Sequence, residues 1–202
     1  MTKTINFDRM ATCIVKWIYG AFDEENLNHL KAKLGVELIL INGSKVGIVY
    51  GVAILFATVV PTLITHVPYV FLRKFAQGLH AKSSVVCTVV SLICFVALPY
   101  FVQNVSLRRW EVGIIGILLT FLFFKYAPAD TENAPILGAS NRAYLRKRAV
   151  LVSGGLTLFV LMLPSGNIQT LMVFGTILQA VMILPISYKI LGRKMNNYEI
   201  YE

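Results

Sequence analysis

Uncharged apolar runs long enough to cross a bilayer recur along this chain, and that recurrence restricts its fold more than any other property. Between Val46 and Thr65, and again between Ser84 and Val105, no Asp, Glu, Lys or Arg occurs. A helix of about 20 such residues, rising about 1.5 Å per residue, spans the hydrocarbon core. Lipid offers no partner to an unpaired N–H or C=O, so a segment of this kind must satisfy its backbone internally, as a helix does. Hydrophobic residues make up 56% of the 202 and charged residues only 14%. With a mean hydropathy of +0.68 the chain lacks the polar surface that a water-soluble domain of its size requires. The expected class is all-α: a polytopic membrane helical bundle of five to six membrane-embedded helices, preceded by an N-terminal amphipathic interfacial helix.

The pattern assigns spans to Val46–Thr65, Ser84–Val105, Val112–Tyr126, Ala149–Leu163 and Ile168–Leu191. Ile5 to Ala21 repeats Ile5, Met10, Cys13, Ile14, Trp17, Ile18 and Ala21 at helical spacing with Asp8, Arg9 and Lys16 elsewhere on the wheel, which suits a helix lying in the interface. Asn26 to Ile41 restarts the pattern and is read as a half-polar helix, a candidate sixth crossing. His66 to Ser83 reads as a polar, basic connection. Residues 1–202 are taken as one integral membrane domain, with 1–41 its N-terminal region, 46–191 its bundle and 66–87 the connection that carries the chemistry. Asp8, Arg9 and Lys16 interrupt the first apolar residues, so the N-terminus is expected to be retained rather than cleaved as a signal peptide.

A formal charge of +9, from 19 Lys and Arg against 10 Asp and Glu, raises nucleic-acid binding as one reading. The bases instead gather between apolar runs, at Arg142 to Arg148 and Lys189 to Lys194, and no nucleic-acid motif accompanies them. Membrane lipid is the expected partner of this charge, and nucleic acid is not. The positive-inside rule puts the connection holding Arg73, Lys74 and Lys82 and the loop with Arg142, Arg146, Lys147 and Arg148 on the cytoplasmic side of a cell membrane; Arg108 and Arg109 run against it.

Cys13, Cys87 and Cys94 have no paired spacing and no flanking histidines, which argues against a disulfide framework and a metal site; no cofactor is expected. Cys13 and Cys94 read as buried small apolar residues. Cys87 differs, because His80 lies seven residues before it and Ser83 and Ser84 are good N-cap residues directly before its span. A thiol in the first turn of a helix feels the positive end of the helix dipole, a setting that favours the thiolate, and free N–H groups there offer support to an oxyanion. In one continuous helix residues seven apart are separated by roughly 10 Å, too far for proton transfer. Pairing therefore requires Gly78 to Ser83 to leave the helix and fold back. On composition alone, a loop histidine and a packed cysteine is the commoner outcome. His66 and His29 are rival bases.

Arg73, Gly78, His80, Ala81 and Cys87 at this spacing resemble the heart of the AgrB family (accessory gene regulator protein B), membrane cysteine endopeptidases of Gram-positive peptide quorum sensing. Tyr126-Ala127-Pro128-Ala129-Asp130-Thr131-Glu132-Asn133-Ala134-Pro135 is similar to the family's Ala-Pro-x-Asp-Thr-x-Asn-Lys-Pro stretch. Gln77 stands where many members have a second glycine, and Ala134 where lysine is usual.

The resemblance implies that His80 and Cys87 are the catalytic pair. It makes Arg73, Lys74, Gly78, Lys82, Asp130 and Glu132 candidates for binding peptide, with Asp130 also a candidate to orient His80. It implies an AgrD-like propeptide as substrate and a homodimer as the assembly. Cys87 would attack the carbonyl joining signal segment to tail, and a thiol or hydroxyl of the bound peptide would then close a thiolactone or lactone ring. The competing class is a non-enzymatic transporter or permease-like subunit, in which more charge within the spans is expected.

Overall fold

The computed structural model describes residues 7–23, 25–79, 84–132 and 134–202. Its regular elements among those residues are helices, joined by loops that hold two isolated bridges, and it divides into two compact units, Met1–Gly51 and Val52–Glu202.

The first unit holds α1 (Phe7–Tyr19) and residues 27–51 of α2 (Leu27–Leu55). Ala11 and Val15, one turn apart, are the buried face of α1, whereas Met10, Trp17 and Ile18 are exposed. Cys13 is also exposed rather than buried. In the first turn of α2, His29 accepts the Asp23 N–H at Nδ1 and packs its ring 4.8 Å from Tyr19. Asn26 opens α2 by accepting the Asn28 N–H on its side-chain oxygen, the ordinary device for a free amide in a first turn. Asp8 and Lys33 form an ion pair between α1 and α2.

The second unit contains α3 (Val59–Ala76), α4 (Ser84–Leu92), a π-turn (Ile93–Ala97), α5 (Leu98–Val102), α6 (Arg109–Tyr126), α7 (Ala139–Met162), α8 (Asn167–Ile183) and α9 (Pro185–Ile190). Several expected bounds change. The run Val46–Thr65 is not one span: α2 ends at Leu55 and α3 begins at Val59, with Ala57 between them at φ 52°. Most of the supposed connection after His66 is the second half of α3, which continues through Pro68. The last run stops at Ile183 and restarts at Pro185, and α7 begins ten residues before Ala149 because its first turns carry the basic residues. By length and composition, two helices among the described residues suffice to cross a membrane, Leu27–Leu55 and Ser84–Val102, and Asn167–Ile183 is a shorter apolar helix.

α8 is the axis of the second unit. Its buried residues include the consecutive Thr170, Leu171, Met172 and Val173, which together circle the helix rather than mark one stripe, as expected of a helix enclosed on all sides. It packs on α3 at Gly175, where a Cβ would lie 2.1 Å from the Thr65 carbonyl oxygen; only glycine permits that approach. α6 meets α7 in the same manner at Gly116, whose missing side chain makes room for Thr157, and Thr120 and Ser153 hydroxyls lie 3.0 Å apart beside it. At Gly154 and Gly155, by contrast, nothing lies within 4 Å of an added Cβ.

The π-turn has an identifiable cause. Pro99 carries no N–H, so the carbonyl of Phe95 four residues earlier loses its helical donor. Thr62 of α3 supplies the missing bond from its hydroxyl, 2.6 Å from Phe95 O. The apolar core gathers where α3 ends: Leu72, Ala76, Leu79, Phe123, Ala127, Ala129, Ile183 and Tyr188 form one buried cluster. Two loops therefore sit in the core rather than over it, and both carry residues singled out in the sequence.

Candidate active site

The helix break on which the chemistry depends is present. α3 stops at Ala76, Gly78 and Leu79 are not helical, and α4 starts at Ser84. His80, Lys82 and Ser83 lie outside the described residues, as does the His80–Cys87 separation. Ser84 is the first helical residue of α4 rather than its cap. Cys87 then falls in the first turn, where N–H groups have no partner within the helix. Its side chain is partly buried and unbridged, and both Cys87 and Cys94 lie within electrostatic range of Tyr69, together with Arg73. The Tyr69 ring stands 4.8 Å from Phe95 and under the Arg73 guanidinium at 5.9 Å.

The chain leaving α3 is held from three sides. Gln77 adopts φ 55° and ψ −133°, a region that side-chain-bearing residues rarely occupy. This gives a physical reason for the second glycine at this position in the resembling family: glycine adopts the conformation without strain. Gly78 follows at φ 115°; its N–H donates to Ala129 O at 2.8 Å, and the Ala129 N–H donates to Ala76 O at 3.0 Å. Gln77 and Ala129 thus form an isolated parallel bridge, joining the segment before His80 to the Ala-Pro-Ala-Asp loop. From α8, the Leu79 N–H donates to Met182 O at 3.0 Å and Gln179 Nε2 donates to the Gln77 carbonyl at 2.7 Å. Arg73 Nη2 donates to Leu79 O at 2.5 Å. Lys74, one residue on, is exposed with its ammonium 5.6 Å from the Phe75 ring.

Asp130 and Glu132 face the C-terminal segment. The Asp130 carboxylate, 4% exposed, accepts the Asn197 N–H at 3.1 Å, the Asn197 side-chain amide at 3.3 Å and the Tyr198 N–H at 3.0 Å. Its main-chain oxygen accepts the Tyr188 hydroxyl at 2.8 Å. Glu132 pairs with Arg193 at 2.9 Å, and Arg146 Nε donates to Ala127 O at 2.8 Å. Asp130 is therefore the anchor of residues 197–198 in this structure. Asp130→Ala is expected to weaken that attachment by about 3 kcal/mol or more, since hydrogen bonds to a charged acceptor each contribute about 1.5–3 kcal/mol. Trypsin cleavage after Arg193 and Lys194 should accelerate at least about tenfold, and an unchanged digestion rate would show that the segment is held by other contacts.

Arg142 binds the Glu202 carboxylate through both nitrogens, at 2.7 and 2.9 Å, and the Gly138 N–H at the start of α7 donates to the same group at 2.6 Å. These bonds, Arg142 first and Gly138 second, pull the Glu202 carboxyl from its ordinary 4.5 down to about 2. Since the folded chain prefers the ionised form, the contact contributes in full above about pH 4.5 and is lost as pH falls toward 2. Hydrogen-exchange protection at the Gly138 amide should fade across that window in the native chain. In Glu202→Gln the protection should be low at every pH; protection that stays constant in the native chain would contradict the assignment.

Periodicity missed Gln179, Asn197, Arg193 and Glu202 as partners of the site. Only Gln179 carried a signal, as an amide within a largely apolar helix. His66 lies on α3 with its ring 4.6 Å from Phe95, and His29 belongs to the first unit. Among the described residues no group of three metal-binding side chains occurs.

Comparison with known proteins bears on this arrangement. The sequence profile of the family described as Accessory gene regulator B matches residues 9–183. A putative AgrB-like protein of Listeria monocytogenes serovar 1/2a is 38% identical over 196 residues, covering 96% of this chain and 95% of the relative. A putative AgrB-like protein of Clostridium acetobutylicum is 40% identical over 178 residues, covering 88% and 85%. Accessory gene regulator protein B of Staphylococcus lugdunensis is 36% identical over 169 residues, covering 82% and 88%. No solved structure matches the chain. The glycine-bearing break between α3 and α4 and the Ala-Pro-Ala-Asp loop that bridges to it both lie inside the matched region, and the chain belongs to the accessory gene regulator B (AgrB) family.

Proposed function

We propose that this protein is a multi-pass cell-membrane cysteine endopeptidase of peptide quorum sensing, which removes the C-terminal tail of an AgrD-like propeptide at the cytoplasmic face and promotes ring closure of the remaining signal segment. Five to six membrane-embedded helices and an interfacial N-terminal helix accommodate the apolar runs in this reading. The observation that carries it is the clamped, non-helical exit from α3. Four backbone hydrogen bonds and one from Gln179 hold residues 76–79, immediately before His80, while Cys87 occupies the first turn of the next helix. A histidine on a flexible loop would need no such support.

In the proposed cycle His80 takes the Cys87 proton, and the thiolate sulfur bonds to the carbonyl carbon between signal segment and tail. Free N–H groups at the start of α4 support the oxyanion. The carbon–nitrogen bond then breaks, His80 returns the proton to the leaving amine, and the tail departs. A thioester joins Cys87 to the signal segment. A thiol or hydroxyl of the bound peptide displaces Cys87 and closes the ring, retaining the activated acyl group that water would destroy.

Acid-quenched mixtures of enzyme and a candidate propeptide test the central step. Intact-mass analysis should show enzyme enlarged by the tail-less peptide, with the adduct on the Cys87-containing fragment and removed by hydroxylamine. An adduct elsewhere, or tail release without any adduct under rapid quenching, would rule out the thioester route.

A further inference from the structure

Gln179 sits one turn before the end of the most enclosed helix, and it is 0% exposed. Its amide nitrogen bonds to Gln77 O, while its amide oxygen, equally buried, has no hydrogen-bond partner. As packing alone, this residue is a poor choice, because a methionine or leucine would fill the same space without leaving an acceptor unsatisfied. The one bond it makes reaches 102 residues along the chain, to the residue whose backbone is held at φ 55° and ψ −133°. A carbonyl in that conformation is not aligned by any helix or sheet ladder, so the Gln179 amide fixes a direction that local structure leaves unset.

We propose that Gln179 is a positioning residue of the active site: by holding the Gln77 carbonyl it sets the path of the backbone that delivers His80. The proposal rests on the reading in which His80 and Cys87 act together. It assigns the two contacts from α8 different tasks. Met182 O receives the Leu79 N–H and can do so whatever its side chain, whereas the Gln77 contact requires a donor at position 179. α8 thereby transmits the packing of Gly175 against α3 to the strand that leaves α3, since Gln179 follows Gly175 by one turn.

Three variants, prepared in native-like membranes, decide the matter: Gln179→Met, Gln179→Glu and His80→Ala. Two readouts are taken, tail release from a candidate propeptide and the pH dependence of Cys87 alkylation by iodoacetamide, followed by mass spectrometry of the Cys87 fragment. Gln179→Met is expected to lower kcat at least about tenfold with KM within about twofold, since misplacement of a catalytic group by about 1 Å is enough for such losses. Its alkylation profile should move toward that of His80→Ala, while thermal unfolding remains close to the native chain. Gln179→Glu should work at low pH, where a protonated carboxyl donates to Gln77 O, and fail as it ionises, a dependence that packing alone does not produce.

Native kcat and a native alkylation profile in Gln179→Met would overturn the proposal. If that variant misfolds, Gln179→Glu decides: activity without the added pH dependence would also overturn it. The alkylation readout needs no propeptide and separates the two levels of argument. A difference between the native chain and His80→Ala that Gln179→Met does not share defeats the positioning role alone. Identical profiles and identical tail release in the native chain and His80→Ala defeat the pairing itself, and the positioning role with it.

Discussion

Gly78→Ala is expected to lower tail release by at least about 100-fold while the helices remain assembled. Two independent obstacles meet at this position. The backbone is at φ 115°, where an L side chain is strained, and an added Cβ would lie 2.7 Å from Met182 O and 3.2 Å from Arg73 Nη1. Left-handed strain costs about 1–3 kcal/mol and forced overpacking about 1–3 kcal/mol more, so the local penalty is about 2–6 kcal/mol. Arg73 is a long side chain that can shift, but Met182 O is main chain at the end of α8.

The cheapest relief is for residues 77–79 to move away from α8. That movement breaks the Leu79 N–H bond to the same Met182 oxygen and the Gln179 bond to Gln77. The damage therefore concentrates on the segment before His80, whereas the α3–α8 contact at Gly175, two turns away, survives. Gly154→Ala and Gly155→Ala are the controls, because nothing lies within 4 Å of a Cβ at either position. Activity of Gly78→Ala within about twofold of the native chain would show that the observed approach to Met182 is not needed in catalysis.

Hydropathy and turn chemistry made some of this legible. The uncharged run after Ser84 appears as Ser84–Val102, and the glycine before His80 marks the required break. The split of Val46–Thr65 was not legible because the residues at the break, Phe56, Ala57 and Thr58, are neither glycine nor proline, while Pro61 and Pro68 lie within a helix that tolerates both. Pro61 falls in the first turn of α3, where its missing N–H costs no intrahelical bond. Average hydropathy records the solvent a segment prefers and is blind to where its backbone turns.

Long-range partners were hidden for a different reason. The resemblance offers Asp130 as a peptide-binding residue or a partner of His80, yet residues 67 and 68 positions later supply its donors. Periodicity relates residues within one element, and nothing in it connects Asp130 with Asn197 or Gln77 with Gln179. Gln77 itself shows the converse: its departure from the family's glycine is visible in sequence, but its meaning emerges only from the backbone angles at that position.

Cys87→Ala is expected to abolish both tail release and the covalent adduct, whereas His80→Ala should leave a slow residual reaction, reduced by about 100- to 10,000-fold, the usual contribution of a general base. The asymmetry follows from the chemistry. No other atom replaces the sulfur that bonds to the acyl carbon, but a fraction of thiol ionises unaided, and that fraction grows as pH rises. Residual activity in His80→Ala should therefore increase toward alkaline pH, while Cys87→Ala stays inactive at every pH. Cys94→Ser is the matched control, since this second thiol lies about two turns further along the same helical stretch and has no assigned step. Tail release is measured by mass spectrometry after co-expression with the propeptide, and substrate association by crosslinking in the same membranes. Both alanine variants should still capture the propeptide, because each removes only a group assigned to the chemical step. A non-enzymatic membrane carrier makes the opposite demand: the propeptide would remain intact with the native chain, and neither substitution would alter its processing. Full tail release by Cys87→Ala would end the thiol mechanism. Equal, pH-independent losses in both variants would remove His80 as the base and leave Cys87 to be activated by the start of its own helix.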